Sequence, residues 1–349
     1  MKFIADINAV FVKHVEDRFP AAGKLVEGLL HQPRRTLRPG IDRMPQQGTG
    51  EGDRGGQAQA LAIEAIGQRL RAVTGSRSSL EDFEGPPGDP GLFGPDSVSW
   101  QVHGDFTSML IGGISALLLQ ALHPLALAGV WDHSNFRQDL LGRLRRTGQF
   151  ISGTTYGSRA DADWLIDKVK TIHLKVTGTA PDGRTYAASD PALLTWVHVA
   201  EVYSFLQAHL RYRNPQLSDT DQDRYYAEIA LIAERLGATQ VPRSRAEVAA
   251  YLAAVRPELL CDERSLEILR ILLNAPAPSA LAAPAAKLLM QAGIDLLPDW
   301  AQQMLGQQIS PSRSRMIHTG VHSLAPVLRW AVRGGAIHRA RKRLNLPPR

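Results

Sequence analysis

Cysteine is almost absent from this 349-residue chain, in which Cys261 is the only one. A single cysteine excludes an intramolecular disulfide framework, a cysteine-rich zinc site and covalent haem attachment through C-x-x-C-H. Cys261 lies in a Leu-Cys-Asp-Glu-Arg segment at a predicted helix start, where a small buried thiol is favoured over a haem thiolate. The fold must therefore be held by its hydrophobic core.

Long, uninterrupted hydrophobic runs are scarce as well. Charged residues are scattered through the first twenty positions, which is not the pattern of a secretory leader, so the sequence predicts a cytoplasmic protein. The most apolar stretch, residues 109–131, contains Pro124, and the run before that proline is shorter than a bilayer span. We predict a buried helix that ends at His123, because proline cannot continue the backbone hydrogen bonds.

Acidic residues are missing from the end of the chain. From residue 321 onward there are seven Lys or Arg and no Asp or Glu. A basic helical extension is predicted over residues 311–349, and a solvated helix face is favoured over contact with anionic lipid. We expect no nucleic-acid partner, and weak peripheral membrane contact through this basic C-terminus stays an alternative.

Regular structure is predicted to begin near residue 90. Residues 84–95 read EGPPGDPGLFGP, a composition that disfavours helix and strand. Residues 50–55 formally match the glycine-rich dinucleotide fingerprint, but no apolar strand precedes them, so the match carries no function. We predict a loosely packed arm over residues 1–90 and a main domain over 91–310.

Signals for helix starts and stops dominate the main domain. Capping residues are followed at helical spacing by acidic or proline residues at four predicted starts: Ser158, Asp190, Ser218 and Ser244. Gly178 and Gly237 are predicted C-terminal stops. Pro181-Asp182-Gly183 predicts a turn between two very short strands. The fold class is all-α, with at most one very short β-hairpin.

One histidine stands on the apolar face of the helix predicted over residues 158–178. Apolar residues recur there at spacings of three and four, and His173 follows Val169 by four positions and precedes Val176 by three. A buried imidazole needs partners for its nitrogens, and a metal can be one of them. Taken alone, such a histidine is more often a hydrogen-bonded core residue.

A second predicted helix presents two cations and a hydroxyl on one face. Arg143, Arg146 and Thr147 stand at positions i, i+3 and i+4. Such a face could hold a propionate, bind another anion or polarise bound dioxygen or peroxide. A solvated basic helix end is the alternative.

Other polar residues interrupt apolar stretches. His123 follows the apolar run, His133 is predicted at the cap of the helix that carries Arg143, and His198 lies three residues before Glu201. The pair His198 and Glu201 lacks the repeated Glu-x-x-His and inward glutamates of a carboxylate di-iron bundle. Structural roles are favoured for these residues individually.

Taken in order, these elements resemble a known family, the catalytic domain of MpaB-type oxygenases and latex-clearing proteins (rubber oxygenases), over roughly residues 90–310. The elements are Trp100-x-x-His-Gly-Asp105, Leu119-Gln-Ala-Leu-His-Pro124, Gly129-Val-Trp-Asp-His-Ser134, Arg143-x-x-Arg-Thr147, Tyr156-Gly157, His173-x-x-Val-x-Gly178, Tyr186-x-Ala188, Asp190-Pro191 and Trp196-Val-His198. The ordered set is far more specific than any single member.

The resemblance implies a globin-like helical bundle with additional helices and a non-covalently bound haem b. It places the proximal iron ligand at His173 and the distal residues at Arg143, Arg146 and Thr147. His198 and His123 are expected either in the pocket wall or directly behind it, in contact with the residues that line it. Latex-clearing proteins carry Arg-x-x-Lys-Thr in the distal motif, and here the lysine position is Arg146. A guanidinium should not ligate iron, so polyisoprene cleavage does not follow from the resemblance.

These inferences predict a haem-dependent oxidoreductase that uses dioxygen or peroxide on a small or lipophilic organic substrate. A non-catalytic haem-binding or sensing protein with the same fold is the first alternative. The second is a non-haem iron enzyme with ligands from His123, His133, His198 and Glu228.

Overall fold

The computed structural model describes residues 83–275, 282–332 and 334–347. The glycine-rich match at residues 50–55 and all but the end of the predicted arm lie outside these residues. Residues 84–95 form turns and irregular backbone, as their composition predicts.

The described chain is mostly helical, with one antiparallel two-stranded hairpin. A 3₁₀ turn, Arg256–Glu258, follows the helix Arg245–Val255. The elements in chain order are α1 (Val98–His103), α2 (Phe106–Gln120), α3 (Pro124–His133), α4 (Leu140–Tyr156), α5 (Arg159–His173), β1 (Thr177–Thr179), β2 (Thr185–Ala187), α6 (Pro191–Tyr212), α7 (Asp219–Leu236), α8 (Arg245–Val255), α9 (Glu263–Leu273), α10 (Ala283–Asp295), α11 (Asp299–Met304), α12 (Pro311–Ala331) and α13 (Ala336–Arg343).

Most of the predicted helix boundaries are confirmed by their capping geometry. The Asp190 carboxylate accepts hydrogen bonds from the first turn of α6, and the hydroxyls of Ser158, Ser218 and Ser244 each accept one from the residue three positions on. Gly237 ends α7 at φ +114°, a conformation that favours glycine.

Two predicted boundaries are wrong. Helix α5 ends at His173, and Gly178 lies in β1 rather than at a helix stop. Helix α2 ends at Gln120, so the apolar run does not reach His123, which instead caps the next helix. Proline at the first helical position explains this choice, since Pro124 fits there and not inside a continuous helix.

Helices α2 and α6 form the centre of the fold and run antiparallel. The Gln120 side chain donates to the Val197 carbonyl at one end, while Gly112 lies against Phe205 nearer the other. A Cβ at Gly112 would come within 2.9 Å of the Phe205 ring and 3.0 Å of the Ser204 carbonyl oxygen, so this close approach depends on glycine. The largest hydrophobic core lies around these two helices.

The basic C-terminal segment is packed against the domain, and the prediction of a solvated face is wrong for its two key arginines. Arg329 of α12 pairs with the buried Asp105 carboxylate, with Nε to Oδ1 at 2.5 Å. Arg343 of α13 is only 2% exposed and donates to the carbonyls of Phe83, Asp89 and Gly157. Cations withdrawn from water persist where carbonyls or carboxylates satisfy them, and the part of the domain against which this segment packs offers both.

Within the described ranges, no single helix is long and apolar enough to cross a membrane. Helices α2 and α3 meet the length and composition test only together, and they are bent by 105° at the break between them.

Candidate active site

A cavity of about 1450 Å³ lies among α2, α4, α5, α6 and the hairpin, and it reaches the C-terminal helices. Its walls are mainly aliphatic and aromatic, with a small number of charged and histidine side chains among them. Pockets for drug-sized ligands typically measure about 300–1,000 Å³, so there is room here for a large prosthetic group together with an organic molecule.

His173 lies in the wall of this cavity, at the last residue of α5. The ring is half-buried, and its buried Nδ1 has no hydrogen-bond partner among the described residues. Burial lowers the pKa of the imidazole, so the ring is neutral at pH 7. A neutral histidine with an unsatisfied nitrogen at a cavity wall is a competent metal ligand.

The hairpin that follows α5 fixes the end of the helix. Val176 donates to the His173 carbonyl at 3.2 Å, and Ala188 donates to the Val176 carbonyl at 2.8 Å. On β2, the Tyr186 hydroxyl donates to the Asp132 carboxylate at 2.6 Å, which ties the hairpin to α3. Burial, and then this carboxylate, raise the pKa of Tyr186 to about 12, so the tie persists across the neutral range.

Glycine at position 178 is required for that tie. A Cβ at Gly178 would lie 2.5 Å from the Tyr186 hydroxyl oxygen and 2.7 Å from its ring. Gly178→Ala should therefore displace Tyr186 and lower the free energy of unfolding by about 1–3 kcal/mol, measured by denaturant titration. Gly113→Ala is the matched control, because its Cβ would meet Phe205 at an ordinary 3.9 Å. Equal effects of both substitutions would show that the hairpin contact is not tight.

Arg143, Arg146 and Thr147 all line the cavity, on the face of α4 that the spacing predicts. Arg143 is the more enclosed: burial, then the neighbouring Arg146, lower its pKa to about 10, and it remains a cation at pH 7. Its Nη1 donates to the Ser134 hydroxyl at 3.4 Å. The Arg146 side chain is 58% exposed and pairs with Asp139 at 3.6 Å.

Close packing of α4 on α5 brings the arginine face and His173 to one cavity. A Cβ at Gly153 of α4 would overlap the end of the Leu165 side chain of α5, so the glycine leaves room for that side chain between the two helices. The two predicted elements, which are separate in sequence, therefore meet in space.

The remaining predicted histidines have different positions. His198 lines the cavity from α6, and its buried Nε2 has no hydrogen-bond partner within the described chain. His123 lies outside the set of cavity-lining residues; its Nδ1 caps α3 and its Nε2 is 3.8 Å from Glu258. His133 ends α3 and contacts the Thr177 carbonyl, whereas Asp139 caps α4, so the predicted capping role of His133 is wrong.

A group of polar residues lies on the α1 and α6 side of the cavity, and we call it the polar wall: His103, His198, Glu201 and His209. Sequence reasoning named His198 and Glu201, but it assigned no site role to His103 or His209 and did not place the four in one wall. His103 contacts Thr155 and Tyr225, each at 2.9 Å. Burial, with the nearby His209 and His198, lowers the pKa of His103 to about 3. The proximity of His103 to the three residues of α6 depends on how α1 packs against α6, which the sequence does not show.

The four residues of the non-haem iron hypothesis are not brought together. Across the described residues, no three His, Cys, Asp or Glu side chains are arranged to hold a metal ion. Glu228 instead accepts hydrogen bonds from the backbone and hydroxyl of Ser99 and pairs with Arg224. That hypothesis is overturned for the ligand set named.

A sequence model of one family matches residues 100–348. Its description is the catalytic domain of ER-bound oxygenase mpaB/B' and rubber oxygenase. The match includes α12 and α13 as well as the cavity. No curated protein and no solved structure matches the chain. Because the match covers well over half of the sequence, this chain belongs to the MpaB and rubber oxygenase catalytic-domain family, and it carries an oxygenase domain.

Proposed function

We propose that this protein is a haem b-dependent oxygenase in which His173 would hold the iron. The observation that carries the proposal is a neutral histidine with an orphaned Nδ1 in the wall of a large, mainly apolar cavity. A haem group fits this site chemically, because one histidine suffices for it and apolar walls suit the macrocycle. The globin-like arrangement implied by the resemblance belongs to the same proposal.

Arg143 and Arg146 are the residues suited to hold the propionates or to face the bound oxidant. Haem, when bound, supplies the activation of dioxygen that the protein side chains cannot provide. A guanidinium does not ligate iron, so Arg146 would not compete with His173 or with the oxidant for the metal. Dioxygen is the proposed oxidant and peroxide the alternative.

The chain's own groups prepare the cavity for that chemistry. Arg143 provides a cation partly withdrawn from water, which makes it more effective toward developing negative charge. Thr147 donates its hydroxyl to the Arg143 carbonyl at 3.3 Å, which leaves the hydroxyl oxygen able to accept from a bound group. The apolar side chains exclude water from an organic substrate, so we propose a lipophilic one.

The proposal is tested first by the absorption spectrum of the purified protein. A Soret band with about one haem per chain, followed by oxygen uptake on addition of a lipophilic substrate and reductant, is the expected result. A colourless protein that also fails to bind added haemin would overturn the cofactor assignment. Haem binding without turnover of oxygen or peroxide would favour a sensing protein.

The cation of Arg143 should matter for rate and not for cofactor retention. Arg143→Leu is expected to lower the turnover number about a hundredfold, because one preorganised donor near developing charge is lost. Arg145→Leu is the matched control, since Arg145 is exposed on the same helix and is not among the described cavity-lining residues. Turnover and haem content are measured on the same preparations. Equal turnover in both variants would contradict a role for this face.

A further inference from the structure

The polar wall contains one carboxyl group without a partner. Glu201 lines the cavity from the middle of α6, and no described residue donates a hydrogen bond to its carboxylate or forms an ion pair with it. Burial alone raises the pKa of this carboxyl to about 7, and no arginine of the cavity offsets the effect. The negative charge of Glu201 also contributes to the raised pKa of Tyr225 behind the wall.

An unpartnered carboxyl group that is partly withdrawn from water is costly for the folded chain. A buried polar group without a hydrogen bond typically costs about 1–3 kcal/mol, and an ionised one costs more. Glu201 nevertheless lies where it can be satisfied, since it is half-buried and borders the cavity rather than the core. A group that enters the cavity can therefore gain the hydrogen bonds that the protein does not supply.

The neighbours of Glu201 define what kind of group that would be. One turn earlier on the same face, His198 presents a buried Nε2 with no partner among the described residues, and burial lowers its pKa to about 4. This imidazole is neutral at pH 7 and offers one donor or one acceptor. A hydroxyl group, which both donates and accepts, complements a carboxyl and a neutral imidazole together.

The residues of α2 that lie opposite Glu201 also line the cavity. Because α2 and α6 are antiparallel, with Gln120 beside Val197 and Gly112 beside Phe205, the residues level with Glu201 are Gly113, Ala116 and Leu117. These residues offer no charge or hydrogen-bonding side chain. A ligand held at Glu201 would thus have its remaining atoms in apolar contact.

We propose that Glu201, assisted by His198, anchors the hydroxyl group of a lipophilic alcohol within the cavity. This assignment rests on the proposed function, because it names the class of organic substrate that the oxygenase cavity would take. An anionic ligand is disfavoured at this point by the Glu201 carboxylate, and the neutral histidines of the polar wall provide no compensating charge.

The test compares 1-octanol with 1-methoxyoctane, whose oxygen accepts hydrogen bonds but cannot donate one. Dissociation constants for both are measured by calorimetry on the full-length protein at pH 8.5, where the Glu201 carboxyl is ionised and accepts. The quantity compared is the dissociation constant of 1-methoxyoctane divided by that of 1-octanol. This ratio should fall about tenfold in Glu201→Leu, because 1-octanol then loses its hydrogen bond to a charged group. Glu201→Gln, whose amide oxygen accepts a hydrogen bond without the negative charge, should keep only part of the ratio, and the exposed Glu263→Leu should keep all of it.

An unchanged ratio in Glu201→Leu would overturn the assignment, as would tighter binding of octylammonium than of 1-octanol. If Glu201→Leu does not fold, the ratio is measured at pH 8.5 and pH 5.5 in the unmodified protein and in Glu201→Gln. A ratio that is larger at pH 8.5 in the unmodified protein but the same at both pH values in Glu201→Gln supports the anchor. A pH-independent ratio in both contradicts it. Haem content is measured on every sample. A protein without haem contradicts the proposed function, whereas an unchanged alcohol preference in a haem-containing Glu201→Leu contradicts only the role of Glu201.

Discussion

His173→Ala is expected to lower the haem content of the purified protein at least about tenfold, while the helical content is retained. The reason is that, under the proposed function, the ring would ligate the iron, and it is already half-exposed to the cavity, so its removal takes little from the core. The ratio of Soret to protein absorbance gives the loss, and circular dichroism gives the helicity.

His123→Ala is the matched control for that experiment. His123 is more buried than His173 but caps α3 outside the cavity-lining set, so its loss should cost about 1 kcal/mol of stability and leave haem bound. Full haem retention in His173→Ala, or equal loss in both variants, would remove His173 from the site.

Asp105→Ala is expected to lower the free energy of unfolding by about 3–5 kcal/mol, the range typical of breaking a buried ion pair. The Asp105 side chain is 4% exposed, caps α2 through the Ser108 backbone and pairs with Arg329, whose guanidinium also donates to the Tyr212 carbonyl. Denaturant titration measures the effect. Asp163→Ala breaks a more exposed pair with Arg235 and should cost less than about 1 kcal/mol.

Because Asp105 is titratable, its contribution to the free energy of unfolding should depend on pH. Burial would raise the pKa of Asp105, but Arg329 and the Ser108 hydrogen bonds outweigh it and hold the pKa below its usual 3.8. A lowered pKa in the folded state means that the stabilisation is present above the unfolded-state value and is lost as pH falls through the folded-state value. The stability difference between the unmodified protein and Asp105→Ala should therefore shrink only below about pH 4. A difference that disappears near pH 6 would contradict this account.

Local sequence signals predicted the elements that depend on neighbouring residues. The Asp190, Ser218 and Ser244 caps satisfy amides within their own first turn, and the Pro181–Gly183 turn joins strands that touch. The cavity position of His173 follows from helical spacing, which fixes the face of α5 without knowledge of its neighbours.

Contacts between distant segments were not predictable in this way. The polar wall depends on α1 lying beside α6. The ion pair of Arg329 and the burial of Arg343 depend on partners more than 180 positions away. The sequence shows that these residues are basic, but it does not show that the fold places a carboxylate or backbone carbonyls next to them. The assignment of Gly178 failed similarly, because a glycine stop and a glycine beneath Tyr186 look alike in sequence.

The hydrogen bonds of Arg343 have a topological consequence. This residue near the last described positions bonds to the carbonyls of Phe83 and Asp89 near the first, and the Gly88 amide donates to the Arg343 carbonyl at 2.9 Å. The first described residues, 83–89, therefore lie beside the end of α13, close to the last described residue. A circular permutant of residues 83–347 that joins residue 347 to residue 83 through a short linker and opens the chain at the exposed Pro181–Gly183 turn should keep every described helix intact.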